Sequence, residues 1–337
     1  MAKQIDSKGI EWLEGRDHVF GFNYVTSTAV NSTEMFREET FDLPTITREF
    51  SMASEIGYNS CRVFLPFIVW ANDAEGFIKR FGDFLSAADA NNISVMPILF
   101  DDCSFSGREP YWGDQDPPVK GVHNSGWTAS PGYAVADDPD SAAMLEAYVK
   151  TLVSSHWDDR RIIAWDMYNE PGNHGRGRKS LPLLEKAFAW SRECNPVQPL
   201  TAGVWSPAEY EECFCRMSDV ISFHEYGDLE AARNTIHRMK QYGLPMFCTE
   251  WMHRRLGSRF ETHLPMWLEE GVGIYQWGLV AGKTQTYLSW DISENDPSGF
   301  PGVWQHDLLT PAGKPYDPNE IKFIKMCLEN DSADTLS

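Results

Sequence analysis

Apolar, β-branched runs alternate with amphipathic stretches from one end of the chain to the other, and this alternation constrains the fold most. The strand-like runs cover 18–25, 59–65, 94–100, 162–169, 199–204, 219–226, 245–251 and 273–280. Helical periodicity falls between them near 44–56, 75–91, 140–155, 180–194, 229–242 and 258–270. A last helical stretch lies near 318–328, and a short, weak one at 206–217. Strands that are each followed by a helix must lie parallel, because a parallel connection needs a long crossover. Eight such repeats in 337 residues predict a closed (β/α)8 TIM barrel, with its active site at the C-terminal ends of the strands. An open sheet that binds a dinucleotide would show G-x-G-x-x-G after its first strand, where this chain has Thr26-Ser27-Thr28-Ala29-Val30-Asn31. No linker or composition break divides 1–337, so a single catalytic domain is expected.

Composition removes several function classes. The net charge of −20 repels phosphate backbones and anionic lipid, so neither nucleic acid nor a membrane surface is an expected partner. No apolar run approaches the roughly 20 residues of a membrane-spanning helix. The seven cysteines are scattered, odd in number and without a C-x-x-C pair, which reads as seven reduced thiols rather than a disulfide framework. The first residues, Met-Ala-Lys-Gln-Ile-Asp-Ser-Lys, hold no apolar segment of the secretory type, and a cytoplasmic location is expected. Thirteen tryptophans exceed what a core needs, and indole rings stack well on the apolar faces of sugars.

The residues that can carry chemistry sit where strands run out. Trp165-Asp166-Met167-Tyr168-Asn169-Glu170-Pro171-Gly172 ends the fourth strand, and Phe247-Cys248-Thr249-Glu250-Trp251 ends the seventh. Strands three apart in a barrel of eight place Glu170 and Glu250 across the mouth from each other. Two opposed carboxyl groups are the minimum set for hydrolysis of a glycosidic bond. Glu225 and Asp166 alternate with these positions and are expected to point outward, toward the helices. The loops 101–139 and 281–316 are long and aromatic; they carry Trp112 and Trp127, and Lys283, Trp290, Trp304 and His306. Four of these tryptophans, Trp112, Trp127, Trp290 and Trp304, are candidate walls of a cleft. The basic run His174 to Lys179 follows Glu170 directly and is either a solvated loop or a rim for the leaving group. Neither H-E-x-x-H nor H-x-H at the first strand end is present, so no metal site is expected.

These residues resemble a retaining glycoside hydrolase of clan A, closest to glycoside hydrolase family 5, over nearly the whole chain. The family's Asn-Glu-Pro motif matches Asn169-Glu170-Pro171, which implies that Glu170 is the general acid/base. Its strand-seven glutamate matches Glu250, which implies the nucleophile. The resemblance further implies that Arg62 holds Glu250 ionised, and that His224, Tyr226 and Trp277 contact the substrate or the carboxyl pair. One departure stands out: Asp101-Asp102-Cys103 occupies the place where the family commonly has a histidine after strand three, so Asp101 and Asp102 are candidate sugar contacts. With Asn169, Trp127 and Lys283 they complete the candidate binding residues. The expectation is a retaining glycosidase acting on β-linked oligosaccharides without metal or organic cofactor, the two carboxyls about 5–5.5 Å apart. An exo-acting β-mannosidase comes first. A β-glucosidase, β-xylosidase or β-galactosidase, an endo-β-mannanase or cellulase, and a carbohydrate-binding barrel without catalysis are the alternatives.

Overall fold

The computed structural model describes residues 7–205, 208–290 and 302–334. Its strands are β1 (Phe20–Tyr24), β2 (Ser60–Phe64), β3 (Ser94–Asp101), β4 (Trp165–Asn169) and β5 (Leu200–Thr201), then β6 (Gly203–Val204), β7 (Ile221–His224), β8 (Met246–Trp251) and β9 (Gly273–Trp277). All eight strand pairings are parallel, and the order is β5-β4-β3-β2-β1-β9-β8-β7-β6. Only Ala202 separates β5 from β6, so the two ends of that order are one bent strand. Its first half pairs with β4 and its second with β7, which closes the ring. A bend is needed there because the strand must turn from one neighbour to the next within five residues. Gly203 sits where a Cβ would come within 3.0 Å of the His224 ring. The run read as the fifth strand is therefore β5 plus β6, and those read as sixth to eighth are β7 to β9.

The helices are α1 (Lys8–Leu13), α2 (Ser32–Phe36), α3 (Leu43–Ile56), α4 (Phe67–Asn72), α5 (Ala74–Asp89) and α6 (Tyr133–Asp137), followed by α7 (Ala142–Ser155), α8 (Leu181–Glu193), α9 (Ala208–Met217), α10 (Leu229–Met239), α11 (Phe260–Glu269) and α12 (Pro318–Asp334). Eight of them match the periodic stretches, including the weak one, whose residues 206 and 207 lie outside the described residues. The same holds for residues 291–301 of the second long loop. The short α1, α2, α4 and α6 span five or six residues each, less than two turns, and no periodicity can show over that length. Local chemistry sets the helix ends. Asp42 Oδ1 accepts from Thr45 N at 3.1 Å to start α3, which stops at Gly57 in a left-handed conformation (φ 117°). Within α3, Ile46, Phe50 and Ala53 recur at helical spacing and face the sheet.

The barrel interior is layered. Val19, Met96, Ile163, Ala164, Val220, Phe247 and Tyr275 form an apolar plug at its lower end. Helix α1 seals it from below: Leu13 packs on the plug, and Trp12 Nε1 donates to the Ile163 carbonyl at 2.8 Å. Above the plug the interior turns polar, with Asn23, Arg62, Asp166, Asn169 and Glu250 all buried. A barrel of closely packed side chains does not carry five polar groups in one layer for stability alone, since each must find a partner there.

Helix α12 ties down the loops above β8 and β9. Arg254, buried, donates to both carboxylate oxygens of Glu320 at 2.9 and 2.6 Å, and to the carbonyls of Trp304, His306 and Asp307. Removing one partner of a buried pair strands the other's charge, which costs about 3–5 kcal/mol. Glu320→Ala is therefore expected to lower the unfolding free energy by about that amount in equilibrium denaturation, and a loss under 1 kcal/mol would show the pair to be dispensable.

Candidate active site

Strict alternation of side chains breaks in three strands, the adjacent β3 and β4 and, across the barrel, β8, and the breaks assemble the site. In β3, Met96 and Ile98 face inward, Leu99 and Phe100 both face the outer core, and Asp101 turns inward again. In β4, Met167 and Tyr168 likewise both face outward, so Asp166 and Asn169 both face in, each bonded to Arg62. In β8 the register shifts between Cys248 and Trp251, a bulge that carries Glu250 into the mouth. Asp166 was expected to point toward the helices; two consecutive outward residues reverse that. Glu225 does point outward, where Thr235 on α10 donates to it at 2.8 Å.

Arg62 is the hub. Its Nη1 donates to Glu250 Oε1 at 3.1 Å and Asn23 Oδ1 at 2.8 Å. Its Nη2 donates to Asp166 Oδ2 and Asn169 Oδ1, both at 2.7 Å, and Nε reaches Asp166 Oδ2 at 3.0 Å. The second oxygen of Glu250 accepts from the Tyr226 hydroxyl at 2.9 Å. Across the mouth, Glu170 leaves β4 with a positive φ of 45°, which turns its carboxyl back over the strand ends. Glu170 Oε1 accepts from His224 Nδ1 at 2.6 Å, and Oε2 from the Cys103 thiol at 3.1 Å and from Asn173 Nδ2. His224 Nδ1 also lies 3.5 Å from Glu250 Oε2, while its Nε2 is buried without a partner. One oxygen of Glu170, one of Glu250 and a His224 ring nitrogen lie within 4.8 Å of one another. That group is the one among the described residues with spacing for a cation, yet Arg62 already pairs with the Glu250 carboxylate.

The electrostatics follow from burial and these contacts. For Arg62, burial alone would lower the proton affinity, but Asp166 and Glu250 hold it above the usual arginine value. Burial pushes Tyr226 well up, as does the Glu250 charge, so its hydroxyl stays a donor. Burial and the charge of Glu170 raise Glu250, against the pull of His224 and Arg62. Burial acts the same way on Glu170, yet the bonds from His224, Cys103 and Asn173 outweigh it and leave that carboxyl lowered. Carboxyl groups this close titrate as a pair, in two steps that belong to both.

Above the pair lies a cavity of about 230 Å³. Trp277 stacks along one wall on Phe64 (centroids 6.2 Å apart, planes at 24°) and against His306 (6.5 Å, 26°). Trp127, Trp290, His123 and Phe105 close the sides, and Trp205 stands at the rim. The two long loops are tied together over the site. Gln285 accepts from Gly121 N at 3.0 Å and donates to the carbonyls of Val119 and Val122, and Asn124 N donates to the Thr284 carbonyl at 2.8 Å.

Of the residues singled out from the sequence, Glu170, Glu250, Asn169, Tyr226, Trp277 and Trp127 line this cavity; Arg62, His224 and Asp101 lie just behind them. Asp102 is elsewhere. It faces away and accepts from Tyr168 Oη at 2.8 Å, Gly172 N at 2.7 Å and the Ser180 hydroxyl, pinning the loop that follows Glu170. Lys283 reaches Glu34 at 2.6 Å, outside the cavity, and Trp112 and Trp304 pack on Arg37 and on Tyr287 and Tyr316. In the basic run, Arg176 pairs in both directions with Asp137, so it braces the loop rather than facing a ligand. Sequence reasoning passed over Cys103, Asn173 and His123. The thiol lies directly after the acidic pair, and Asn173 lies three residues beyond Glu170, within one turn of chain. All seven cysteines are free.

No protein-family model and no curated protein sequence matches the chain. Solved structures do. An exo-β-1,4-mannosidase from Opitutaceae bacterium strain TAV5 superposes with a TM-score of 0.65 at 16% identity, over 99% of this chain. This chain spans 62% of that protein's length. An endo-β-1,4-mannanase from Thermotoga petrophila gives 0.62 at 12% identity, over 96% of this chain and 78% of the other. A GH5_18 protein from Streptomyces cattleya, in complex with Manβ1-4GlcNAc, gives 0.60 at 13%, over 93% and 81%. The fold this chain shares with these glycosidases is the (β/α)8 barrel.

Asp101 is buried behind the cavity and fully hydrogen-bonded. It accepts from Asn169 Nδ2 and Cys103 N at 2.9 Å and from Trp127 Nε1 at 2.8 Å, yet burial raises it from 3.8 to about 7. A carboxyl whose affinity for protons is higher in the folded state stabilises fully below its unfolded value and loses that contribution as pH rises through the folded one. The wild type is expected to lose stability between about pH 4 and pH 7. Asp101→Asn should flatten that slope by on the order of 2 kcal/mol in denaturant titrations run across the range, whereas an unchanged slope would place the proton elsewhere.

Proposed function

We propose that the protein is a retaining β-glycosidase that removes single sugars from the ends of β-linked oligosaccharides, with a β-mannoside as first candidate. The observation that carries the hydrolase reading is the asymmetric pair: one carboxyl held by a guanidinium and a phenol, the other by an imidazole, a thiol and an amide, with oxygens within 4.8 Å. Inverting enzymes need roughly 6.5–9.5 Å between the carboxyl groups to seat a water; retaining ones need about 5–5.5 Å. The short gap supports retention. Exo action is supported by the small size of the cavity, about 230 Å³, and by the ties between the two loops that border it. The mannoside reading draws on the mannosidase, the mannanase and the Manβ1-4GlcNAc complex among the structural neighbours; a β-glucoside, β-xyloside or β-galactoside is the second reading.

The geometry supports the following roles. Glu250 attacks the anomeric carbon, kept ionised by the fixed charge of Arg62 and oriented by Tyr226. This chemistry needs the pair's proton on Glu170, the reverse of the order that the raised Glu250 and the lowered Glu170 set by themselves; from there it passes to the departing oxygen. With the leaving group gone, Glu170 removes a proton from water, which attacks the glycosyl-enzyme from the same face. Asn169 gives one amide hydrogen to Asp101 and points the other at the Cys103 sulfur from 3.6 Å, a weak contact that a sugar 2-hydroxyl can replace with a bond that strengthens as the ring flattens. Trp277 presents a flat apolar wall to the sugar. Asp166 and Asn23 touch no substrate; they hold Arg62 in place.

A screen against nitrophenyl β-glycosides is expected to show turnover, strongest on the mannoside, and uniform inactivity would favour a barrel that binds sugar without cleaving it. Glu250→Ala should abolish turnover, and azide should restore part of it as a glycosyl azide of inverted configuration. Glu170→Ala should retain the first step on dinitrophenyl glycosides but lose about 100-fold or more on substrates with poor leaving groups. Azide rescue of the second variant with inversion, and not of the first, would exchange the two roles. From a β-1,4-linked oligosaccharide the first product should be the monosaccharide alone; longer fragments would establish endo action.

A further inference from the structure

The hydrolase reading does not use the Cys103 thiol, although that thiol touches the carboxyl assigned as acid/base. Cys103 Sγ lies 3.1 Å from Glu170 Oε2, buried at the cavity wall. Two amide nitrogens approach the same sulfur, Asn169 Nδ2 and Asn173 Nδ2, each at 3.6 Å. Both can only donate. They occupy the acceptor side of the sulfur and leave its one hydrogen a single carboxylate to meet. The backbone fixes the arrangement from behind, since Cys103 N donates to Asp101 Oδ1, the oxygen that also receives Asn169. Burial and the nearby carboxylates raise the thiol well above its usual value, so it keeps that hydrogen through the working pH range.

We propose that Cys103 is a positioning residue for Glu170: its S–H···O bond holds the carboxyl in the rotamer that faces Glu250 and favours the ionised form needed to activate water in the second step. The proposal rests on the hydrolase reading for its role in turnover, but the hydrogen bond itself can be tested without it. The thiol does not act as nucleophile or metal ligand here. His224 holds the other oxygen of Glu170, so the carboxyl is clamped from both sides by donors on different strands' ends.

Three forms of the full chain decide it: wild type, Cys103→Ala and Cys103→Ser. The serine keeps a donor, the alanine does not. Removing a donor to the charged form raises the carboxyl's proton affinity, so the alkaline limb of kcat/KM, where Glu170 must be protonated, is expected to move up by roughly one pH unit in Cys103→Ala. In Cys103→Ser the limb should return toward the wild-type position. A thiol that only fills space would lower the rate at every pH and leave the limb unmoved, which would overturn the proposal. Thermal unfolding of each variant separates misfolding from either outcome. A readout free of activity is the ¹³C NMR titration of labelled glutamate carboxyls, with the Glu170 signal identified by its loss in Glu170→Gln. Its midpoint should rise in Cys103→Ala and recover in Cys103→Ser; equal midpoints in all three would refute the hydrogen bond. If no glycoside is turned over but the NMR midpoint moves, the hydrolase reading fails while the Cys103–Glu170 bond stands.

Discussion

A guanidinium buried in the centre of a barrel has to be neutralised, and everything above the apolar plug is arranged around that requirement. Arg62 has no exposed surface and five hydrogen-bonding contacts to four residues on β1, β4 and β8. Asp166 supplies a full compensating charge, and Glu250 supplies another at 3.1 Å. The desolvated cation thus has one committed counter-ion below, and on the proposed reading its second, Glu250, is the one that serves chemistry. On that reading the polar layer divides its labour between a structural and a reactive carboxylate.

Above the layer, the cavity is bordered by loops that are themselves held by polar ties. The loops after β3 and β9 meet through Gln285 and Asn124, and Arg254 with Glu320 anchors the latter loop to α12. His123 shows how such a roof is tuned. Its Nδ1 binds the Leu288 carbonyl at 2.8 Å, and burial lowers its affinity for protons to about 4, so the ring borders the cavity as a neutral group. A neutral imidazole in that wall can accept a bond from a sugar hydroxyl without adding charge beside the carboxyl pair.

The barrel itself was legible in the sequence because eight strand runs and the helices between them have different hydrophobic periods, and period is a local property. Glu170 and Glu250 were legible for a related reason: a carboxylate at the end of an apolar strand, followed by Pro-Gly or by a bulge, has no other place to go. Asp166 was misread because alternation holds only while the strand is regular. Met167 and Tyr168 both turn outward, and nothing in Trp-Asp-Met-Tyr-Asn signals that. Asp102 and Lys283 were taken for sugar contacts by position in the chain, but a neighbour in sequence on a strand end faces the opposite way, and a loop lysine takes the nearest acid, here Glu34.

The sequence by itself determined the repeating unit, the end of the barrel that bears the site, and the two carboxylates, since each is encoded in a window of a few residues. Tertiary structure decided the rest. It split the fifth strand at Ala202 so that the ring could close, and it brought Cys103 from the end of β3 against a carboxyl 67 residues away. It also joined Gly121 to Gln285 across 164 residues of chain, tying together the two loops that border the cavity. Contacts of that kind depend on strand tilt, on where a strand breaks its alternation, and on which loop reaches which neighbour. These are set by packing the whole ring at once, and no local stretch of residues contains them.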